Sequence, residues 1–334
     1  MSTVRRSLSE ERSDETKGPE LVEGTQALGS LSAESDPVPE RGASFVSLRS
    51  LRNRDEGRSG TETKSRIRLI ATDLDGTLLD PTGHVTARSR AALDAARAAG
   101  IVVVPVTARQ PIGLRAIAAE AGFAGWALCG NGAYGIHLGT HEQLFASEIA
   151  VPVQQRIARE LAAQVPDLLF ASVREAGEVF VAQAGYAEVA ALGDHKRDPR
   201  TMGAVPLTEV LLAPSLKLVV RHASISPAEI FAVLGTLDQT GFAATLSGAP
   251  FVEVMAEGVT KASGLALLCA ELGIEQDEVL AFGDALNDVE MLRWAGHGVA
   301  MANAEPAALA AADEVTASNA ADGVAAVLER VLAV

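Results

Sequence analysis

A short apolar run that ends in two aspartates limits the folds open to this chain more than any other feature. Residues 68–72 are typical of a buried strand, and Asp73 and Asp75 follow it directly, before Gly76 and Thr77. In open α/β sheets ligands bind at the carboxyl ends of the strands, where this turn would lie. Alternate side chains of extended chain point the same way, so the two carboxylates can face one small volume. A cation such as Mg²⁺ would relieve their repulsion, although an isolated Asp-x-Asp is also typical of a solvated turn.

From Ile67 onward, apolar strands alternate with Ala-rich helices. The predicted strands are 68–72, 101–106, 126–129, 279–282 and 298–301. The predicted helices are 86–99, 111–121, 261–272, 288–295, 306–312 and 322–332. This alternation predicts the α/β class with a doubly wound parallel sheet.

The middle of the chain has a different pattern. It predicts a helix over 153–164, strands over 168–173, 178–183 and 216–221, a helix over 227–239, and a hairpin of 242–246 with 251–255. Such an order is typical of an antiparallel α+β module inserted into the first sheet. We therefore expect a core formed by 66–150 and 257–334, and an inserted module at 151–256. Residues 1–65 show no sustained periodicity and predict a disordered tail, either regulatory or upstream of the true translation start.

Composition excludes several classes of partner. The formal net charge of −15 argues against binding to nucleic acid or to an anionic membrane surface. With 48% hydrophobic residues over 334 positions, the chain can bury a sizeable core. Cys129 and Cys269 have no metal-ligand spacing and predict buried thiols in a reducing compartment. A polar amino terminus and the lack of a long apolar run favour the cytoplasm.

Two further segments carry groups suited to an anion. Thr107 directly follows the second predicted strand, and its hydroxyl could donate to a phosphate oxygen or simply cap a helix. Lys261 follows Gly258-Val259-Thr260 at a helix start, where a positive charge opposes the helix dipole. An anion bound there reverses this cost, although a tolerated surface lysine is the alternative. Only five of the 28 Lys and Arg residues are lysines, so composition does not explain why position 261 carries a lysine.

A third segment is again an apolar strand that runs into acids. Asp284 follows Gly283 at the strand end and could coordinate a metal. Asn287 and Asp288 could hold waters, orient Lys261, or cap the next helix. Two acidic strand ends, a hydroxyl strand end and a lysine-bearing helix start together predict a phosphate and metal site.

Taken in order, these motifs resemble those of the haloacid dehalogenase superfamily, in its class IIB, Cof-like branch of sugar-phosphatase type. The resemblance spans about residues 67–334 and is carried by 73–79, 107–109, 258–261 and 283–288. Similar segments occur at 130–133, 299–304 and 322–324. One departure is Ala108, where many relatives carry Gly; it adds only a methyl group. The resemblance implies a Rossmann-like core with an inserted cap.

The resemblance also implies roles for these residues. Asp73 would attack phosphorus to form an aspartyl-phosphate, and Asp75 would act as general acid and base. Mg²⁺ would be held by Asp73, by Asp75 through its backbone carbonyl, by Asp284 and by Asp288. The phosphate and substrate contacts would come from Thr107, Lys261, Asn287, Arg109 and Asn131.

The inserted module would act as a lid that selects the leaving group. Its polar candidates are Arg174, Asp194, His195, Lys196 and Arg197, and the pattern favours an exposed loop over 194–197. The expected partner is a small phosphate monoester, handled by a monomer or a homodimer. A phosphomutase and a non-catalytic module that binds Mg²⁺ and phosphoryl groups remain the alternatives.

Overall fold

The structure is a computed structural model that describes residues 67–195 and 198–332. Its strands are β1 (Leu69–Thr72), β2 (Val102–Pro105), β3 (Trp126–Cys129), β4 (Tyr134–His137), β5 (Gln143–Ala146), β6 (Leu169–Arg174), β7 (Val179–Ala182), β8 (Lys217–Arg221), β9 (Phe242–Thr245), β10 (Val252–Ala256), β11 (Val279–Gly283), β12 (His297–Ala300) and β13 (Glu314–Val315). Its helices are α1 (Ala87–Ala98), α2 (Pro111–Ala121), α3 (Val151–Ala162), α4 (Tyr186–Val189), α5 (Leu192–His195), α6 (Leu207–Val210), α7 (Pro227–Leu234), α8 (Lys261–Leu272), α9 (Val289–Trp294), α10 (Pro306–Leu309) and α11 (Gly323–Leu332). The expected tail, 1–65, lies outside the described residues.

Five parallel strands form one sheet in the order β13-β12-β11-β1-β2. The first strand lies between β11 and β2, with Leu69 opposite Val279 on one side and Val102 on the other. The loops that follow these three strands therefore leave the sheet at the same edge, side by side. The site residues of three distant motifs are brought together by this strand order.

Alternate residues of these strands pack on opposite faces of the sheet, as the pleat of a strand requires. Ile70 and Phe282 face one cluster, which contains residues of α1, α2 and α11. Leu69 and Ala281 face a second cluster, which contains residues of α8 and α9. Helices thus cover both faces, and the expectation of a doubly wound α/β sheet is confirmed.

A second sheet is antiparallel, in the order β7-β6-β8-β10-β9. One face packs on α3 and α7, where Phe170, Leu218 and Val254 meet Ile157 and Ile230. The predicted hairpin is present as β9 and β10, with Val254 opposite Ala244. All of these elements fall within the segment assigned to the inserted module, 151–256.

Two predictions about the elements need correction. The helix expected over 227–239 ends at Leu234, because the amides of Thr236 and Leu237 bond to carbonyls three residues back instead of four. The strand over 126–129 is present, but it pairs antiparallel with β4 in a separate sheet, β3-β4-β5, and meets the parallel sheet through a bridge from Val106 to Leu128. None of the helices within 67–195 and 198–332 has the length and apolarity needed to cross a membrane.

Candidate active site

The turn after β1 sets the position of the first aspartate. The backbone amide of Asp73 donates to the carbonyl of Phe282 at 3.1 Å, so the residue is still tied to the neighbouring strand. The chain then turns sharply at Gly76, whose φ of 83° lies in the left-handed region that favours glycine. The Asp73 side chain is only 8% exposed, and it lies at the carboxyl edge of the sheet.

Lys261 reaches this aspartate from the first turn of α8. Thr260 caps the helix by accepting a hydrogen bond from the amide of Ser263, which fixes where the helix begins. The Lys261 ammonium donates to Asp73 Oδ1 and to Asp288 Oδ1, both at 2.6 Å. It is 1% exposed, so the alternative of a tolerated surface lysine is excluded.

The loop after β11 supplies two more carboxylates with different roles. Asp288 Oδ2 accepts from the backbone amides of Asp284 and Ala285 at 2.9 and 3.0 Å, while its other oxygen receives Lys261. Both oxygens of Asp288 are therefore engaged within the protein. Asp284 accepts at Oδ1 from the Thr77 hydroxyl at 2.7 Å.

Three carboxylates lie close to one another, and two of them accept hydrogen bonds from the Lys261 ammonium. Ligand atoms of Asp73, Asp284 and Asp288 all lie within 4.8 Å of one another. Burial raises the pKa of Asp284 to about 6, and burial raises the pKa of Asp73 well above its usual value although Lys261 opposes it. For Lys261, burial would lower the pKa, but the adjacent carboxylates of Asp288 and Asp73 outweigh it and raise the pKa. The excess of negative charge suits a bound divalent cation.

Asp75 projects beside this cluster and is paired with Arg109. The Arg109 guanidinium donates from Nε and Nη2 to the two oxygens of Asp75 at 2.6 and 2.5 Å, a bidentate pair. The Asp75 side chain is 50% exposed, so it can meet a substrate or water in the crevice. Thr107, which follows β2, accepts at its hydroxyl from the Arg109 amide at 3.1 Å.

A buried polar chain joins the site to the second sheet. Asn287 Nδ2 donates to Asn131 Oδ1 at 2.9 Å, and Asn131 Nδ2 donates to Glu253 Oε2 at 3.0 Å. Glu253 on β10 in turn forms a buried ion pair with Lys217 on β8. Lys217 also donates to the carbonyl of Ala108, at 3.0 Å, next to Thr107. Side chains of the inserted sheet are therefore hydrogen-bonded to the loop after β2 and to the turn after β3.

A cavity of about 300 Å³ lies over the cluster. Its lining includes Asp73, Asp75 and Thr107 from loops that follow the parallel strands, together with His195, Lys217 and Phe251 from the inserted segment. The cavity thus combines the carboxyl edge of the parallel sheet with the inserted segment.

Lys261 contacts Asp73 and Asp288 directly, and ligand atoms of Asp73, Asp284 and Asp288 lie within 4.8 Å of one another. Thr107 lines the same cavity as Asp73. Asn287 lines this cavity too, whereas Asn131 is buried behind it. The Asp75 side chain is turned to Arg109, and the three-carboxylate cluster does not include it.

For Asp194 and His195 the preference for an exposed loop is wrong. Both are partly buried and line the cavity, because Asp194 pairs with the buried Arg221 at 2.8 Å. Arg174 instead donates to Ser172 and to two backbone carbonyls, and Lys196 and Arg197 lie outside the described residues.

Sequence reasoning missed Lys217 and Glu253. Their signal was a charged residue inside an otherwise apolar predicted strand, in Leu-Lys-Leu-Val-Val and in Phe-Val-Glu-Val. A charge buried in that way requires a partner, and here each residue is the partner of the other.

Comparison with known proteins identifies the family. The sequence profile described as haloacid dehalogenase-like hydrolase matches residues 70–328. YxeH of Bacillus subtilis (strain 168) is 32% identical over 279 residues, which cover 80% of this chain and 99% of that protein. The chain therefore belongs to the haloacid dehalogenase-like hydrolases.

Solved structures give the same assignment. BT1666 from Bacteroides thetaiotaomicron, described among phosphatases of the haloalkanoate (HAD) enzyme superfamily, has 26% identity and a TM-score of 0.69, covering 84% of this chain and 100% of that one. The subclass IIB sugar phosphatase BT4131 shares the fold with a TM-score of 0.67 at 23% identity, covering 79% of this chain and 98% of that one. The expected assignment to the haloacid dehalogenase superfamily, and hence to a hydrolase, is confirmed, and the fold agrees with that of a class IIB relative.

Proposed function

We propose that this protein is a Mg²⁺-dependent phosphatase that hydrolyses a small phosphate monoester, such as a sugar phosphate, through an aspartyl-phosphate on Asp73. One observation carries the proposal. The Asp73 carboxylate lies at the end of β1 with a buried ammonium 2.6 Å away and further carboxylates within 4.8 Å. A nucleophile, a fixed positive charge and a cation site in one crevice are what phosphoryl transfer requires. The phosphatase description of the Bacteroides thetaiotaomicron relative supports the same reaction.

The residues present fit Mg²⁺. Asp73 and Asp284 offer carboxylate oxygens, and the buried Asn287 Oδ1 has no hydrogen-bond partner among the described residues, so it could accept from a metal-bound water. Asp288 is less available as a metal ligand, because backbone amides and Lys261 already donate hydrogen bonds to both of its oxygens. We therefore assign Asp73, Asp284 and the Asp75 carbonyl as ligands, with Asp288 orienting Lys261 and the Asp284 loop. When bound, Mg²⁺ would neutralise charge on the phosphoryl group.

The protein's own residues carry the two chemical steps. An Asp73 oxygen attacks phosphorus, the bond from phosphorus to the alcohol oxygen breaks, and the alcohol takes a proton from Asp75. Asp75 then takes a proton from water, whose oxygen attacks phosphorus and releases Asp73 and inorganic phosphate. Thr107 and Lys261 would hold the phosphoryl oxygens during both steps.

Arg109 acts on Asp75 rather than on the substrate in this arrangement. Its two hydrogen bonds fix the orientation of the Asp75 carboxylate, which suits the hydrolytic step. For the first step, a protonated Asp75 must give up one of these bonds. We therefore assign Arg109 as a positioning residue.

We assign the segment 151–256 as a lid over the core formed by 66–150 and 257–334. The lining of the cavity by both sheets supports this role, because a lid can exclude water and select the leaving group. The cytoplasmic location and the monomeric or homodimeric state stay predictions from the sequence.

Phosphate release measured with Mg²⁺, and again after EDTA, tests the proposed function. We expect release from p-nitrophenyl phosphate and from members of a sugar-phosphate panel with Mg²⁺, and its loss with EDTA. Absence of metal-dependent release would favour a non-catalytic module. Transfer of the phosphoryl group to a second hydroxyl of the sugar, without free phosphate, would instead indicate a phosphomutase.

A further inference from the structure

Aromatic rings gather on one wall of the cavity, although the chain as a whole is only 4% aromatic. Phe180, His195 and Phe251 line the cavity, and Tyr186 lies behind them. The His195 and Phe251 rings stack with centroids 4.5 Å apart and an angle of 12° between their planes. Phe180 lies 4.9 Å from His195, centroid to centroid. We call these four residues the aromatic wall.

The aromatic wall is held in a fixed arrangement. The Tyr186 hydroxyl and His195 Nε2 are 2.7 Å apart and hydrogen-bonded, so the imidazole cannot turn freely. Tyr186 and Phe251 are buried, whereas Phe180 and His195 are partly exposed toward the cavity. A rigid surface of this kind binds a matching flat group at low entropic cost.

The wall carries no charge of its own. Burial and, after it, the nearby positive charge of Lys217 lower the pKa of His195 to about 3, so the imidazole is neutral near neutral pH. Two cations beside the wall are already paired, Lys217 with Glu253 and Arg221 with Asp194. Uncharged aromatic side chains favour contact with other rings and with flat apolar surfaces.

The wall lies in the same cavity as the proposed phosphate site. Asp73 and Thr107 line this cavity together with Phe180, His195 and Phe251 of the aromatic wall. A phosphate monoester held by Asp73, Thr107 and Lys261 would therefore present its alcohol part to the wall. We propose that the aromatic wall selects monoesters whose alcohol part contains a ring, which offers a flat face, over open-chain monoesters. This rests on the proposed phosphatase function and specifies its substrate class.

Matched substrates test the proposal. The specificity constant kcat/KM is compared for glucose 6-phosphate and its open-chain counterpart sorbitol 6-phosphate, and for pyridoxal 5′-phosphate and glycerol 3-phosphate. We expect at least one ring substrate to be preferred over its open-chain partner. The first pair tests a sugar ring and the second tests a planar heterocycle. The pair in which the ring substrate is preferred identifies which kind of ring the wall binds.

The variant Phe180→Leu keeps most of the side-chain volume but removes the flat face. We expect it to lower the ring-to-chain ratio of kcat/KM by about three- to tenfold, the effect of one aromatic contact, while the open-chain substrates change little. Phe145→Leu is the matched control, since Phe145 is partly buried on β5 and does not line the cavity. It should leave the ratio unchanged.

Two results would overturn the aromatic wall as a selector. One is equal kcat/KM for ring and open-chain substrates in the unmodified protein; the other is an equal loss for both in Phe180→Leu. Calorimetric binding of the same compounds to Asp73→Asn separates this proposal from the proposed function. A ring preference in binding without turnover of any compound by the unmodified protein would retain the wall and reject the phosphatase assignment. No ring preference in binding would reject the wall.

Discussion

At the scale of single residues, Gly76 shows how closely the two acidic loops approach. A Cβ placed on Gly76 would lie 2.2 Å from Asp284 Oδ2. Gly76→Ala should therefore displace the Asp284 carboxylate as well as strain the turn. We expect kcat/KM to fall by at least about tenfold and the Mg²⁺ concentration for half-maximal activity to rise, as for loss of groups that orient a metal ligand. Titration of phosphatase activity with Mg²⁺ measures both.

Gly83→Ala is the matched control for this substitution. Gly83 has a φ of 85°, almost the same as Gly76, but nothing lies within 4 Å of the position of its Cβ. Both variants should lose about 1 kcal/mol of folding free energy through backbone strain. If Gly83→Ala changes the Mg²⁺ dependence as much as Gly76→Ala does, the contact with Asp284 is not the cause.

Site residues at the ends of apolar strands could be predicted from the sequence, whereas contacts that depend on long-range pairing could not. Asp73, Asp284 and Thr107 directly follow apolar strands, so local pattern and the edge rule for parallel sheets were enough to group them. The contact of Lys217 with Glu253 depends on the pairing of β8 with β10, which local pattern does not specify. The pairing of Arg109 with Asp75 is likewise a long-range contact and was not predicted.

At the scale of elements, the Lys217–Glu253 pair joins two strands of the inserted sheet. Both side chains are buried, at 7% and 1% exposure, so removal of one charge leaves the other buried and unpaired. Glu253→Gln should lower the free energy of unfolding at neutral pH by about 3 kcal/mol. The midpoint of urea denaturation, compared with that of the unmodified protein, measures this loss.

The Lys217–Glu253 pair also predicts how the free energy of unfolding depends on pH. Burial acts to raise the pKa of Glu253, but Lys217 and the hydrogen bonds to the carboxylate outweigh it, so the folded pKa lies below the unfolded value of 4.5. The stabilisation by ionised Glu253 is therefore fully present above pH 4.5 and is lost as the pH falls through the folded pKa. The stability difference from Glu253→Gln should shrink below pH 4.5. A difference that is independent of pH would contradict this.

Glu329→Gln provides the control for the ion pair. Arg88 and Glu329 are joined at 2.7 Å but are 46% and 49% exposed. Water screens such a pair, so the substitution should change the free energy of unfolding by less than about 1 kcal/mol. A large loss there would mean that burial is not what distinguishes the two pairs.

Whole elements were predicted well where both ends carry a local signal. The bounds of α2, β3 and α8 match the prediction, since Pro111 begins one helix and Thr260 caps another. The strands β4 and β5 were missed, and they pair with each other as a local hairpin with a register shift at Gly135/Ile136. Such short strands are defined by their pairing partners more than by their own sequence.

At the scale of the whole molecule, the two cysteines report on the intactness of the core. Cys129 belongs to the hydrophobic cluster on one face of the parallel sheet and Cys269 to the cluster on the other. Both are free, and burial raises the pKa of each to about 12. We expect neither thiol to react with a disulfide reagent at about pH 8 in the folded protein, and both to react in urea. Rapid labelling of either thiol without denaturant would contradict this packing.

The proposed reaction has one central consequence, which is that Asp73 should become phosphorylated. In Asp75→Asn the residue that activates the hydrolytic water is removed while the nucleophile remains. We expect mass spectrometry of this variant, after incubation with Mg²⁺ and substrate, to find one phosphoryl group on the peptide that contains Asp73. The group should be absent from the double variant Asp73→Asn/Asp75→Asn. Phosphate release at the normal rate by Asp73→Asn, or a phosphoryl group found on another residue, would contradict the account.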